Sequence, residues 1–134
     1  MAINFKRYII EMKNERYMGS IIYGEANCGK TKFIKDFINK SNDFDVTHLD
    51  FINVLDKLEV KSKVIQFLPN SFFKFILELI KTECSKTKEA VILDNIDVVL
   101  NLWSINDKNE FVNQLMTIEK SMFNFPITAI APTS

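Results

Sequence analysis

Gly24, Gly29, Lys30 and Thr31 are the residues of this sequence whose types and spacing most directly imply chemistry. With Glu25, Ala26, Asn27 and Cys28 between them, they fit the phosphate-binding loop pattern G-x-x-x-x-G-K-[ST] at every fixed position. In such a loop the backbone N–H groups, with those of the first helical turn, point at phosphate oxygens. Gly24 and Gly29 leave room for the backbone to bend and come close to the ligand. Lys30 is expected to reach the β- and γ-phosphates, and the Thr31 hydroxyl to ligate Mg²⁺. The binding set is therefore Gly24, Glu25, Ala26, Asn27, Cys28, Gly29, Lys30, Thr31 and Lys32. The chain has three glycines, Gly19, Gly24 and Gly29, and all fall in this one stretch. Cys28, beside Lys30 and a helix N-terminus, sits where a thiolate is favoured.

The second informative stretch is Ala90-Val91-Ile92-Leu93-Asp94. Four apolar residues running into an acid read as a fully buried parallel strand. Ligands of open α/β sheets bind at the carboxyl ends of the strands. Asp94 is thus expected beside the loop, holding the same Mg²⁺ as Thr31, directly or through water. This is the hhhhD pattern known as Walker B. It is weak alone and strong downstream of a phosphate-binding loop.

These residues need elements to position them. Ile21, Ile22 and Tyr23 predict a buried strand over about 18–23, and Phe33, Ile34, Phe37 and Ile38 mark one face of a helix over about 30–40. A helix over residues 3–16, with Ile3, Tyr8, Ile9 and Met12 inward, precedes them. Ser41-Asn42-Asp43 is a turn. Residues 45–51 predict a second strand carrying Val46, His48 and Phe51, and His48, the sole histidine, reads as a strand residue near the surface. Val54, Leu55, Leu58, Val64, Ile65 and Leu68 suggest a short helix or an irregular connection that Pro69 ends. Asn70 or Ser71 then caps a helix over 71–86 with Phe72, Phe73, Ile76, Leu79 and Ile80 on one face. Cys84 at its end reads as structural. After the Asp94 strand, 98–104 is a connection. Asp107 and Glu110 predict the capped start of a helix to about Met122, with Phe111, Leu115, Ile118 and Met122 inward. Ile127 to Ala131 is the last strand.

Composition bounds the answer. A chain of 134 residues suits one domain, 1–134, made of the N-terminal helix (1–17) and a core (18–134). Seventeen basic and seventeen acidic residues give no net charge, which argues against a dominant nucleic-acid surface. No apolar run approaches the ~20 residues that span a bilayer. The N-terminus lacks the apolar centre of a secretion signal. Cys28 and Cys84 have neither metal-ligand spacing nor a disulfide framework. The expected location is cytoplasmic.

The order of strands and helices with these two motifs resembles the P-loop NTPases over most of the chain. The resemblance implies a three-layer α/β/α fold with a mostly parallel sheet of four or five strands, with ATP and Mg²⁺ as cofactors. GTPase signatures are missing, since no glycine follows Gly29 and no N-K-x-D occurs. A small-molecule kinase uses several arginines, and this chain has only Arg7 and Arg16. What remains is similar to the additional-strand class, AAA+ and STAND-like. In that class the order 5-1-4-3-2 would become 1-4-3-2 here, with strand one at an edge covered by the N-terminal helix or by a partner. A polar residue after strand four, Thr133 or Ser134, would sense the γ-phosphate. The short length, Leu93-Asp94-Asn95-Ile96-Asp97 followed by Val98-Val99-Leu100, and the strand-only C-terminus resemble the BrxF family of BREX phage-defence systems. Related ATPases place a glutamate after the Walker B acid; here Asn95 stands there. Asp97, on the same side of an extended backbone, would be the substitute base. The implied catalytic set is Lys30, Asp94 and Asp97. The implied function is Mg²⁺-dependent ATP binding with slow or partner-activated hydrolysis, as a switch or assembly subunit. The partners would be another copy or a larger defence protein. The alternative is a non-hydrolysing scaffold or interaction protein, with a small-molecule kinase a third and less favoured reading on account of the arginines.

Overall fold

Four short β-favouring runs lie side by side in this chain, and the helices between them take both faces of the sheet they make. The structure is a computed structural model that describes residues 5–24, 30–40, 45–57, 68–84 and 89–132. Within them α1 spans Phe5–Met12, β1 Gly19–Gly24, α2 Lys30–Lys40, β2 Val46–Asp50, α3 Phe51–Lys57, α4 Pro69–Glu83, β3 Ala90–Asp94, α5 Asp97–Leu100, α6 Ile105–Met116 and β4 Ile127–Pro132. The strands form one all-parallel sheet in the order β1-β4-β3-β2, the order that the resemblance implied. Parallel neighbours need crossover connections, and helices supply them. β3 is buried at all five positions, as its uninterrupted apolar run required.

Strand alternation divides the core in two. Val91, Leu93, Ile127 and Ala129 face Phe51 and Leu55 of α3, Phe72, Ile76 and Ile80 of α4, and Phe111 and Leu115 of α6. Phe72 is the hub of that side. Its ring lies 5.7 Å from Phe51, 5.7 Å from Trp103 and 5.4 Å from Phe111. Ala90, Ile92, Ile22 and Ile130 face the other way, toward Ile9 of α1 and Ile34 of α2. An ion pair of Lys13 with Glu89 ties the end of α1 to the start of β3. Among the described residues no helix is long and apolar enough to cross a membrane.

Several boundaries differ from the sequence expectation, each for a local reason. The described N-terminal helix stops at Met12, not near residue 16, and Ile3 lies outside the described residues. Phe51 leaves the second strand to open α3, where it is fully buried. Leu58, Val64 and Ile65 lie outside the described residues. Pro69 ends the connection as expected, and does so by opening α4, where at N1 its missing N–H costs nothing. Neither Asn70 nor Ser71 caps α4. Leu68 is the N-cap with no side-chain bond, and Asn70 instead accepts from Gln114 Nε2 of α6 at 3.1 Å. The expected connection 98–104 contains the single turn α5. Helix α6 is capped by Ser104, whose Oγ accepts from the Asp107 N–H, so Asp107 is the third residue of the helix and not its cap. It ends at Met116. Ile118 is still buried, but from the segment after the helix, and Met122 is 46% exposed.

Gly19 also has a packing explanation. A Cβ there would lie 1.6 Å from the Leu115 carbonyl oxygen of α6. This glycine therefore serves helix–strand contact, and the argument that all three glycines belong to a ligand loop loses one member. The edge position of β1 is as expected, and α1, for which a sheet face or edge was open, seats on a face. The chain just before β1 is met instead by the segment after α6: the Met18 N–H donates to the Ile118 carbonyl at 2.8 Å, and Tyr17 bridges Glu119.

Candidate functional site

The register aligns the carboxyl ends of the strands. Asp50 of β2 is level with Asp94 of β3, Asp94 with Ile130 of β4, and Ile130 with Ile22 of β1. Gly24 ends β1 two residues beyond that row, and α2 begins at Lys30. One strand lies between β1 and β3, so their axes stand about 10 Å apart at ordinary strand spacing. Asp94 shares its strand face with Ala90 and Ile92, which pack on the α2 side. The acid is thus on the face of the helix that follows the glycine-rich segment.

Of the expected binding residues, Glu25, Ala26, Asn27, Cys28 and Gly29 lie outside the described residues, as do Thr133 and Ser134. Lys30 and Thr31 are the first two residues of α2, and Lys32 is exposed in its first turn. Asp94 is fully buried, and its Oδ2 lies 3.1 Å from His48 Nε2. His48 is two residues before Asp50 on β2 and on the same face, so it reaches diagonally across to Asp94. Its side chain is 16% exposed on an edge strand, so this histidine is the near-surface strand residue expected, and it is in addition a partner of the buried acid.

Asp50 stands directly opposite Asp94, and two adjacent carboxylates on one face would repel. Asp50 has its own donors: Asn95 Nδ2 at 3.0 Å and the Ile52 N–H at 3.0 Å, both to Oδ1. Asn95 delivers that amide from a left-handed backbone conformation, φ 60°, which asparagine tolerates better than most residues. The chain turns there, and Asp97 becomes the first residue of α5. The expectation that Asp97 lies on an extended backbone beside Asn95 is therefore overturned. Asp97 Oδ1 is buried without a hydrogen-bond partner among the described residues. A lone buried acceptor costs about 1–3 kcal/mol when nothing satisfies it.

Two residues of this cluster, His48 and Asp50, were given no role at the site from the sequence. The signal was there in outline: Val46–Asp50 and Ala90–Asp94 are five-residue strands that each end in Asp. Parallel pairing in register brings those ends together, but only the register reveals it. A cavity of about 340 Å³ opens on the outer side of β2, lined by Lys35, His48, Asp50, Asn53, Leu79 and Glu83 among others. It shares His48 and Asp50 with the cluster but does not include Asp94. Among the described residues no group of three or more His, Cys, Asp or Glu is arranged to hold a metal ion.

No protein-family model matches this chain, and no curated protein matches it.

Proposed function

We propose that this chain is a Mg²⁺-dependent ATP-binding protein of the P-loop type, with slow or partner-activated hydrolysis. The observation that carries the reading is the joint placement of two motifs. The G-x-x-x-x-G-K-[ST] pattern spans the end of β1 and the start of α2, and Asp94 ends β3 on the α2 face with β4 between. Phosphates would be cradled by backbone N–H groups of residues 25–31, with Lys30 supplying charge. Mg²⁺ takes few protein ligands and leans on phosphate oxygens and water. Thr31 and Asp94, both hard oxygen donors, fit that need without a three-residue protein cage. Among the described residues the buried Oδ1 of Asp97 has no hydrogen-bond partner, which leaves it able to accept from a water of the site.

Slow turnover follows from Asn95. Its amide is committed to Asp50, and an amide cannot accept a proton from water as a base. Asp97 is the carboxylate that follows, from a helical turn rather than from the strand. The same observation favours the rival reading of a non-hydrolysing scaffold, which shares the fold and dispenses with turnover. A role as switch or assembly subunit in BREX-type defence, as another copy's or a larger protein's partner, rests on the sequence resemblance alone. Titration of ATP, ADP and GTP by calorimetry, with Mg²⁺ and with EDTA, followed by a phosphate-release assay, tests the proposal. Mg²⁺-dependent binding of ATP with little phosphate release is expected. No binding of any nucleotide at millimolar concentration would leave the scaffold.

A further inference from the structure

We infer that His48 is a positioning residue for Asp94: it donates Nε2–H to Asp94 Oδ2 and so fixes the carboxylate for the metal–nucleotide complex. The inference rests on the nucleotide reading above. Its starting point is the burial of Asp94, which is complete. A carboxylate taken out of water needs donors, or the fold is destabilised. His48 provides one at 3.1 Å, from the neighbouring strand and from a side chain itself only 16% exposed. The imidazole must present a hydrogen on Nε2 to do this, since an ionised carboxylate only accepts.

The surroundings make the geometry selective. Asp50 is nearer to Asp94 in register than His48 is, yet its Oδ1 is held by Asn95 and by the Ile52 N–H. Each of the two neighbouring acids therefore has its own donor, and the His48 bond is not shared between them. Side chains that hold a metal-binding carboxylate or imidazole in place typically change metal affinity by about 10–100-fold when removed. His48 is offered by β2, the strand farthest from β1 in the sheet. The far edge of the sheet thus takes part in the site, through a residue that no phosphate-binding pattern contains.

The experiment exploits the single histidine of the chain. Protein labelled with ¹⁵N-histidine gives one imidazole spin system. In the ligand-free protein, Nε2 is expected to carry the proton, and its resonance is expected to move with ATP and Mg²⁺ but not with ATP and EDTA. Calorimetry then compares wild type, His48→Ala and His48→Gln. His48→Ala is expected to lose about 10–100-fold in the Mg²⁺-dependent part of ATP affinity while binding in EDTA is unchanged. His48→Gln, whose amide nitrogen can occupy the place of Nε2, is expected to recover most of it. Equal losses with and without Mg²⁺ would make His48 structural only and overturn the inference. So would an unprotonated Nε2, or an Mg²⁺ dependence that survives in His48→Ala. If His48→Ala does not fold, the imidazole spectrum and His48→Gln decide. A wild type that binds no nucleotide would bring down the parent reading, and the inference with it. That outcome is distinct from nucleotide binding that ignores His48.

Discussion

The two faces of the sheet use different materials. The face under α3, α4 and α6 is aromatic: Phe51, Phe72, Phe111, Phe123 and Phe125 are buried there. The face under α1 and α2 is thinner, built from Ile9, Ile22, Ile34, Ala90, Ile92 and Ile130. The buried polar residues described, Ser20, Asp94 and Thr128, all alternate onto that second face. One face therefore supplies most of the burial that holds the fold. The other accepts the cost of buried polar groups, and it is the face that carries the candidate site. Substitutions on the two faces should accordingly separate stability from ligand binding.

The largest effect is expected at Phe72, the hub of the aromatic side. Phe72→Ala should lower stability by about 3–5 kcal/mol, since a buried ring is lost and a cavity is left among the rings of Phe51, Phe75, Trp103 and Phe111. Urea denaturation followed by circular dichroism checks it. A loss below 1 kcal/mol, on the order of a surface change, would break the contrast between the faces. Next comes Gly19→Ala. The added methyl would meet a backbone carbonyl, which cannot swing aside as a side chain can. A destabilisation of about 1–3 kcal/mol is expected from overpacking. If Gly19→Ala is neutral in the same denaturation, α6 does not approach β1 as closely as described.

On the other face the expected readout changes. Lys30→Ala should weaken ATP binding by about ten- to a hundredfold, the worth of one charge-assisted contact of roughly 1.5–3 kcal/mol. Its thermal midpoint without nucleotide should match wild type. A midpoint that falls as far as in Gly19→Ala would show Lys30 holding the fold, and the division of labour between faces would fail at its most important residue.

How far the sequence could be read follows the same division. Elements set by local pattern were legible: β3 from its apolar run, and α2 from Phe33, Ile34 and Phe37; the four-strand order came from the resemblance and not from the pattern. What failed depended on partners distant in sequence. Phe51 looked like strand because its apolar character fits either state, and pairing with β3 ends β2 at Asp50. Met122 looked like helix because its spacing from Phe111 and Leu115 continues the stripe. The helix is closed at Thr117, whose Oγ1 turns back to the Asn113 carbonyl at 2.8 Å. His48 was passed over because its bond to Asp94 spans 46 positions. Only the in-register pairing of β2 and β3 creates it. Asp97 was given the wrong backbone because nothing in Asn95-Ile96 announces a left-handed turn as a glycine would.

The smallest expected effect tests whether polar groups on the thin face hold the fold or only tolerate it. Ser20 and Thr128 are direct neighbours in register, and their hydroxyls lie 3.1 Å apart. Thr128 is fully buried and Ser20 nearly so. Removing one hydroxyl leaves the other without this partner, which should cost about 1–3 kcal/mol. Removing both, in Ser20→Ala with Thr128→Val, takes away the demand along with the bond and should be close to neutral. The double variant should therefore be more stable than the sum of the single losses predicts, by about 2 kcal/mol or more. Denaturation of wild type, both single variants and the double gives that coupling directly. If the losses simply add, the hydroxyls act independently and the bond contributes nothing. If the double variant is the least stable by several kcal/mol, this face is held by its polar pair, and the difference between the two faces is one of composition without a difference in role.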